Sequence, residues 1–168
     1  HSSPLSGCSA APWMLRLRDF EILHFAAHAV IDGERPEVSG IALSQLDAQG
    51  KRADGFIRLQ EILDWELRAR LVVLSACGSA TGRARAGEGL TSLSRAFLHA
   101  GADAVVGTLW NVDDRATAEF MSRFYEGMLK QGLAPGAALR RAQQSIRGEK
   151  GWTSPYYWAG FVLLGEWR

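Results

Sequence analysis

Two side chains in this sequence have the chemical types for covalent catalysis, His28 and Cys77. A thiol at its ordinary pKa of about 8.5 is mostly protonated near neutrality. A neighbouring imidazole raises the thiolate fraction or takes the proton during attack. Gly78 follows the cysteine directly, and Gly82, Gly87 and Gly89 lie just beyond. Such small residues let a substrate backbone come close. The backbone N–H groups at Ala29, Cys77 and Gly78 are candidates for an oxyanion hole, where losing one donor costs about 10²–10³ in turnover. Each side chain also has a plainer reading. Cys77 fits a buried core cysteine, which behaves as a small hydrophobe. His28 fits a hydrogen-bonded histidine at a strand end. The pair at two strand ends points to chemistry more strongly than either residue alone.

The elements that must position them follow from apolar periodicity. Ile22–Ala27 is a short apolar run whose length predicts one buried strand. Gly33, Pro36, Gly40, Gly50 and Gly55 punctuate the next stretch, across which Ile41–Leu43 and Phe56–Leu59 can pair as a hairpin. Leu59, Ile62 and Leu63 predict a short helix, and Leu71–Ala76 a second buried strand. Leu90, Leu93, Phe97 and Ala100 recur at helical spacing, with Gly101 as the stop. Ala104–Trp110 reads as a third strand. Asp113 or Asp114 can cap a helix whose apolar face is Ala116, Phe120, Phe124 and Met128. Pro135 opens a last helix with Ala138, Leu139, Ala142 and Ile146 on one face, and Trp158–Leu164 is the final strand. Apolar strands alternating with amphipathic helices predict an α/β sandwich with a mostly parallel central sheet. Ligands of such sheets bind at the carboxyl ends of the strands. His28 would sit just past the first strand and Cys77 just past the second.

Composition narrows the partners. Across 168 residues, 47% are hydrophobic and the net charge is +1, so neither nucleic acid nor an anionic membrane is an expected partner. No apolar run approaches the roughly 20 residues of a membrane span, and no signal peptide is visible. Two cysteines make no disulfide framework, which predicts a reducing, cytoplasmic setting. The chain starts at His1 and reads as a fragment of something larger. Residues 1–15, with the Ser/Pro/Gly stretch Ser2–Ser9, read as a loose end or expression remnant, and residues 16–168 as the folded domain.

The motifs around the two residues carry a resemblance. ILHFAAHA at Ile22–Ala29 and LVVLSACGSATG at Leu71–Gly82 resemble the histidine and cysteine motifs of CHAT domains, a bacterial branch of the caspase, separase and gingipain peptidases. The similarity runs on through GEGL at Gly87–Leu90, RAFL at Arg95–Leu98 and AGADAVVGTLWNVDD at Ala100–Asp114. Phe124–Tyr125, Ala138–Gln143 and PYYWAGFVLLG at Pro155–Gly165 extend it to the end of the chain. The resemblance implies a caspase-like three-layer α/β/α sandwich and a cysteine endopeptidase that needs no cofactor. It implies His28 as general base, Cys77 as nucleophile, and a protein or peptide substrate cleaved through a thioester. It further implies control by a regulatory protein or an attached helical-repeat region, in bacterial signalling or defence. The sequence departs from the pattern in two ways. Ala29 stands where many relatives have Gly, and the strands that precede the histidine strand in relatives are missing from residues 16–168.

Several other residues have two readings. His24, four positions before His28, could join His28 and Cys77 around a metal, but Cys8 and His99 have no ligand spacing, which favours a hydrogen-bonding role instead. The Gly82–Gly89 loop lacks the Lys-Ser/Thr ending of a phosphate-binding loop and reads as an active-site wall. Trp110, Asn111 and Asp113 follow a strand and would border the crevice, where the related loop of caspases lines substrate subsites. Trp110 equally fits a core tryptophan and Asp113 a helix cap. A glutamine-amidotransferase type of cysteine hydrolase is disfavoured. Ser75 and Ser79 occupy the places where its nucleophile elbow has glycines, and the base precedes the nucleophile. A non-catalytic interaction module remains the other class of function.

Overall fold

The computed structural model describes residues 14–32, 39–46, 49–75, 78–80, 88–166 and 168. Two four-stranded sheets organise them. The first contains β1 (Ile22–Phe25), β5 (Leu71–Leu74), β7 (Ala104–Thr108) and β8 (Phe161–Gly165), in that spatial order. β1, β5 and β7 run parallel, and β8 returns antiparallel to β7. The second contains β4 (Phe56–Arg58), β3 (Gly40–Ala42), β2 (His28–Ile31) and β6 (Gly78–Ala80). Its β4–β3 and β3–β2 pairs are antiparallel, and β2 pairs parallel with β6.

The first sheet is apolar on both faces because helices cover both. Leu23, Phe25, Val72, Leu74 and Val105 point to one side. There they meet Ile62 of α1 (Leu59–Leu63) and Leu93, Ala96 and Phe97 of α2 (Glu88–His99). The alternate residues Leu71, Val73, Ala104 and Val106 point to the other side. They meet Ala116, Phe120 and Phe124 of α3 (Asp114–Tyr125) and Ala138, Leu139, Ala142 and Ile146 of α4 (Pro135–Arg147). Leu71, Val72 and Val73 have 0% exposure, as expected of strands in a covered parallel sheet. Phe120 stacks on Phe161 with ring centroids 3.7 Å apart, tying α3 to β8. Arg123 bridges Glu119 and Glu149 at 2.8 Å each, joining α3 to the end of α4.

The mixed α/β order, the mostly parallel sheet, the β3–β4 pairing and the two long amphipathic helix faces agree with the sequence. Three details differ. Ile22–Ala27 is not one strand: β1 stops at Phe25, and after Ala26 and Ala27 the chain enters a different sheet at His28. Two small alanines allow this change of direction without a Gly or Pro to mark it. The helix begun at Asp114 widens into a π-helical turn at Glu126–Lys130, so Met128 is only partly buried. Met121 joins the buried face instead. The last strand starts at Phe161 rather than Trp158, because Pro155 opens a 3-10 turn over Pro155–Tyr157. Residues 1–13, most of the Gly82–Gly89 loop, Gly33 and Pro36 lie outside the described residues.

α2 ends as its sequence requires. Gly101 has φ +105°, and a Cβ there would meet the Leu67 carbonyl oxygen at 2.5 Å. That segment is itself held by the Leu67 N–H donating to the Ala100 carbonyl at 2.6 Å. Gly101→Ala combines left-handed strain with a backbone clash. It is expected to destabilise the fold by at least about 1 kcal/mol in urea unfolding, with an unchanged slope.

Candidate active site

The carboxyl ends of β1 and β5 meet in register, with His24 opposite Val73 and Phe25 opposite Leu74. Alternation turns His24 and Ser75 toward the α3–α4 side, the face opposite to Phe25 and Leu74. His24 Nε2 lies 2.7 Å from Ser75 Oγ, and His24 Nδ1 lies 3.1 Å from the Tyr125 hydroxyl. The His24 and Tyr125 rings are tilted against each other at 5.7 Å. Both imidazole nitrogens are thus engaged by hydroxyls from two other elements, β5's exit and the end of α3. Partial desolvation moves the His24 pKa below its ordinary 6.5. Burial pushes the Tyr125 phenol up to about 12, so it stays protonated at all ordinary pH.

His28 is the first residue of β2, and its side chain is exposed. It pairs with Ala42 of β3. His24 and His28 therefore do not share a strand face; they stand on strands of different sheets. Cys77 lies outside the described residues. Its chain neighbour Gly78 is opposite Ala29, the residue after His28, in the parallel β2–β6 pair. Ala29 also pairs with Ile41 and is buried, so a strand flanks it on each side.

The three residues read from the sequence as a crevice border have structural partners. Trp110 Nε1 donates to the Tyr156 carbonyl at 2.9 Å. Gly160 supports the indole so closely that a Cβ there would meet Trp110 Cε2 at 2.8 Å. The Asn111 carbonyl accepts from the Tyr156 hydroxyl at 2.6 Å. Asp113 caps α3 by accepting from the Ala116 N–H at 3.0 Å. Tyr156, about half exposed, joins this loop to the turn before β8. Tyr125 was missed as a polar group, since beside Phe124 it reads as part of an apolar helix face. Among the described residues, no group of three His, Cys, Asp or Glu side chains is placed to hold a metal ion. No helix among them is long and apolar enough to cross a membrane.

A mixed α/β fold with a histidine segment and a cysteine segment at adjacent parallel strands agrees with the motif comparison. A family model described as the CHAT domain matches residues 8–166, and the chain belongs to the CHAT domain family, which is related to caspase-like cysteine peptidases. Two curated relatives are mammalian. Tetratricopeptide repeat protein 28 of Mus musculus is 42% identical over 106 residues, 63% of this chain and 4% of the relative. The Homo sapiens protein of the same name is 38% identical over the same shares. The chain thus spans about 4% of the length of the curated relatives it matches. The similarity is not confined to bacterial chains.

The depressed His24 pKa has a definite sign. The folded state binds this proton less readily than the unfolded chain, so stability gained from neutral His24 is complete above pH 6.5 and is lost as pH falls through the lowered value. The melting temperature is expected to drop on acidification below pH 6.5. His24→Gln should flatten that part of the profile, as followed by circular dichroism across a pH series.

Proposed function

We propose that this domain is a cysteine endopeptidase with His28 as general base and Cys77 as nucleophile. The observation that carries this reading is the β2–β6 register, in which Ala29 and Gly78, the residues after His28 and Cys77, are direct partners. Membership of the CHAT family supports it. In this reading the helices on both faces of the first sheet form the outer layers of a caspase-like three-layer α/β/α sandwich spanning residues 16–168. His28 accepts the thiol proton as Cys77 attacks the peptide carbonyl. It then protonates the leaving amine, and water releases the acyl group from the thioester. Backbone N–H groups of Cys77 and Gly78 bind the oxyanion. Ala29, flanked by strands on both sides, is the weaker donor of the three. Trp110, Asn111 and Asp113 line the substrate side of the crevice through a loop already braced by Tyr156.

Control comes from a protein partner or an attached helical-repeat region in the cytoplasm. The name of the mammalian relatives, which denotes tetratricopeptide repeats, fits that arrangement. The same relatives favour a second reading, a non-catalytic CHAT module that serves assembly with such repeats.

A thiol-reactive peptide probe and cleavage of a peptide library, with and without a candidate repeat partner, separate the two. Cys77→Ala is expected to abolish cleavage and labelling with the melting temperature preserved. His28→Ala is expected to slow acylation by about 10²–10⁴. Cleavage that survives Cys77→Ala would exclude the peptidase reading, and unfolding of that variant would return Cys77 to the core.

A further inference from the structure

We propose that the outer face of α4 is the docking surface for an acidic segment of a protein partner, with Arg147 at its centre. Arg140, Arg141, Gln144 and Arg147 are exposed, away from the buried side of the helix formed by Ala138, Leu139, Ala142 and Ile146. Arg140, Gln144 and Arg147 recur at helical spacing, so the two guanidiniums stand two turns apart, about 10 Å along the axis. Lys150 continues the run beyond the helix end. None of these cations has a carboxylate partner among the described residues. The neighbouring α3 and its π-helical turn are built the other way: Arg123 pairs with Glu119 and Lys130 with Glu126, each four residues away. On α4 the positions three and four away from Arg140, Arg141 and Arg147 hold Gly, Ala, Gln, Ser and Lys. Glu149, the acid nearest in sequence, is taken by Arg123.

Arg147 is set apart by its support. Its guanidinium lies over the Trp158 ring, 5.9 Å from the centroid. Trp158 is itself held: its Nε1 donates to the Thr153 carbonyl at 3.3 Å, and the Gln143 amide of α4 donates to the Phe161 carbonyl at 3.0 Å. Stacking engages the flat face of a guanidinium and leaves its N–H edge available, the edge that takes a carboxylate through two parallel bonds. A side chain held in advance also loses less entropy on pairing than a free surface arginine does. Arginine and tryptophan are the residue types in which binding energy concentrates. Charge complementarity therefore selects a partner rich in Asp or Glu. Residues 135–150 carry four cations and one carboxylate, in a chain whose net charge is only +1. A short acidic segment suits such a local excess. A long phosphate backbone does not, because the rest of the chain has no surplus positive charge to follow it. The surface involves neither His28 nor Cys77, so it stands independently of the peptidase reading.

The test titrates the intact chain into a fluorescent Glu-rich peptide and follows anisotropy at low salt, where charge pairing is least screened. Saturable binding is expected, and none to the same peptide with every Glu replaced by Gln. Arg147→Gln should weaken binding about tenfold and Arg140→Gln about threefold. Arg147→Lys keeps the charge but loses the planar fork, and should recover only part of the loss. Arg52→Gln removes one exposed charge from the segment between β3 and β4, and should leave the affinity unchanged. Melting temperatures should hold in all four variants, because the side chains are exposed. Failure of the Glu-rich peptide to bind, equal weakening by Arg52→Gln, or full recovery in Arg147→Lys would overturn the proposal. Tighter binding of a single-stranded oligodeoxynucleotide of the same charge would overturn it too, by making the surface one for nucleic acid.

Discussion

The fold depends on the parallel pairing of β1 with β5. Parallel neighbours cannot be joined by a tight turn, so the chain must leave β1, travel over one face and come back. Residues 26–70 make that journey, and they carry β2, β3, β4 and α1 on the way. Parallel strands also need cover on both faces. α1 and α2 supply it on one side and α3 and α4 on the other. Once these demands are met, the carboxyl ends of β1 and β5 lie side by side, and the residues leaving them become neighbours. The site is thus a by-product of how a parallel pair is closed.

The second sheet adds a constraint of its own. Only Ala26 and Ala27 separate β1 from β2, so His28 cannot move far from the end of β1. Three residue steps lead from Phe25 to His28, a reach of at most about 11 Å. His28 is therefore placed by two sheets at once: by the link to β1 and by pairing with Ala42 of β3. β6 joins β2 on its other side and brings the segment after Cys77 into the same sheet.

Much of this was legible from periodicity. The buried faces Ala116–Phe120–Phe124 and Ala138–Leu139–Ala142–Ile146 are visible because a helix repeats its inward positions every three or four residues. β5 and β7 are visible because strands covered on both faces are apolar throughout. The break after Phe25 was not legible. Alanines at 26 and 27 continue the apolar run, and whether such a run bends depends on partners far away in the sequence. Trp158 reads as strand by its aromatic character, yet Pro155 sets a turn that delays β8 to Phe161. The His24 contacts were legible only as a general preference for hydrogen bonding over metal binding. Ser75 is 51 positions away and Tyr125 101, and no local pattern encodes either distance.

Those separations also set an order in time. A chain made from its amino end presents His24 and His28 first and Cys77 some fifty residues later. The second hydroxyl on His24 comes only with Tyr125, and β8, which closes the first sheet against β7, comes later still. During synthesis the thiol is therefore exposed before its surroundings are assembled. A nascent chain cannot order this region until nearly the whole domain has left the ribosome. The wiring of the fold ties assembly of the candidate site to completion of the domain.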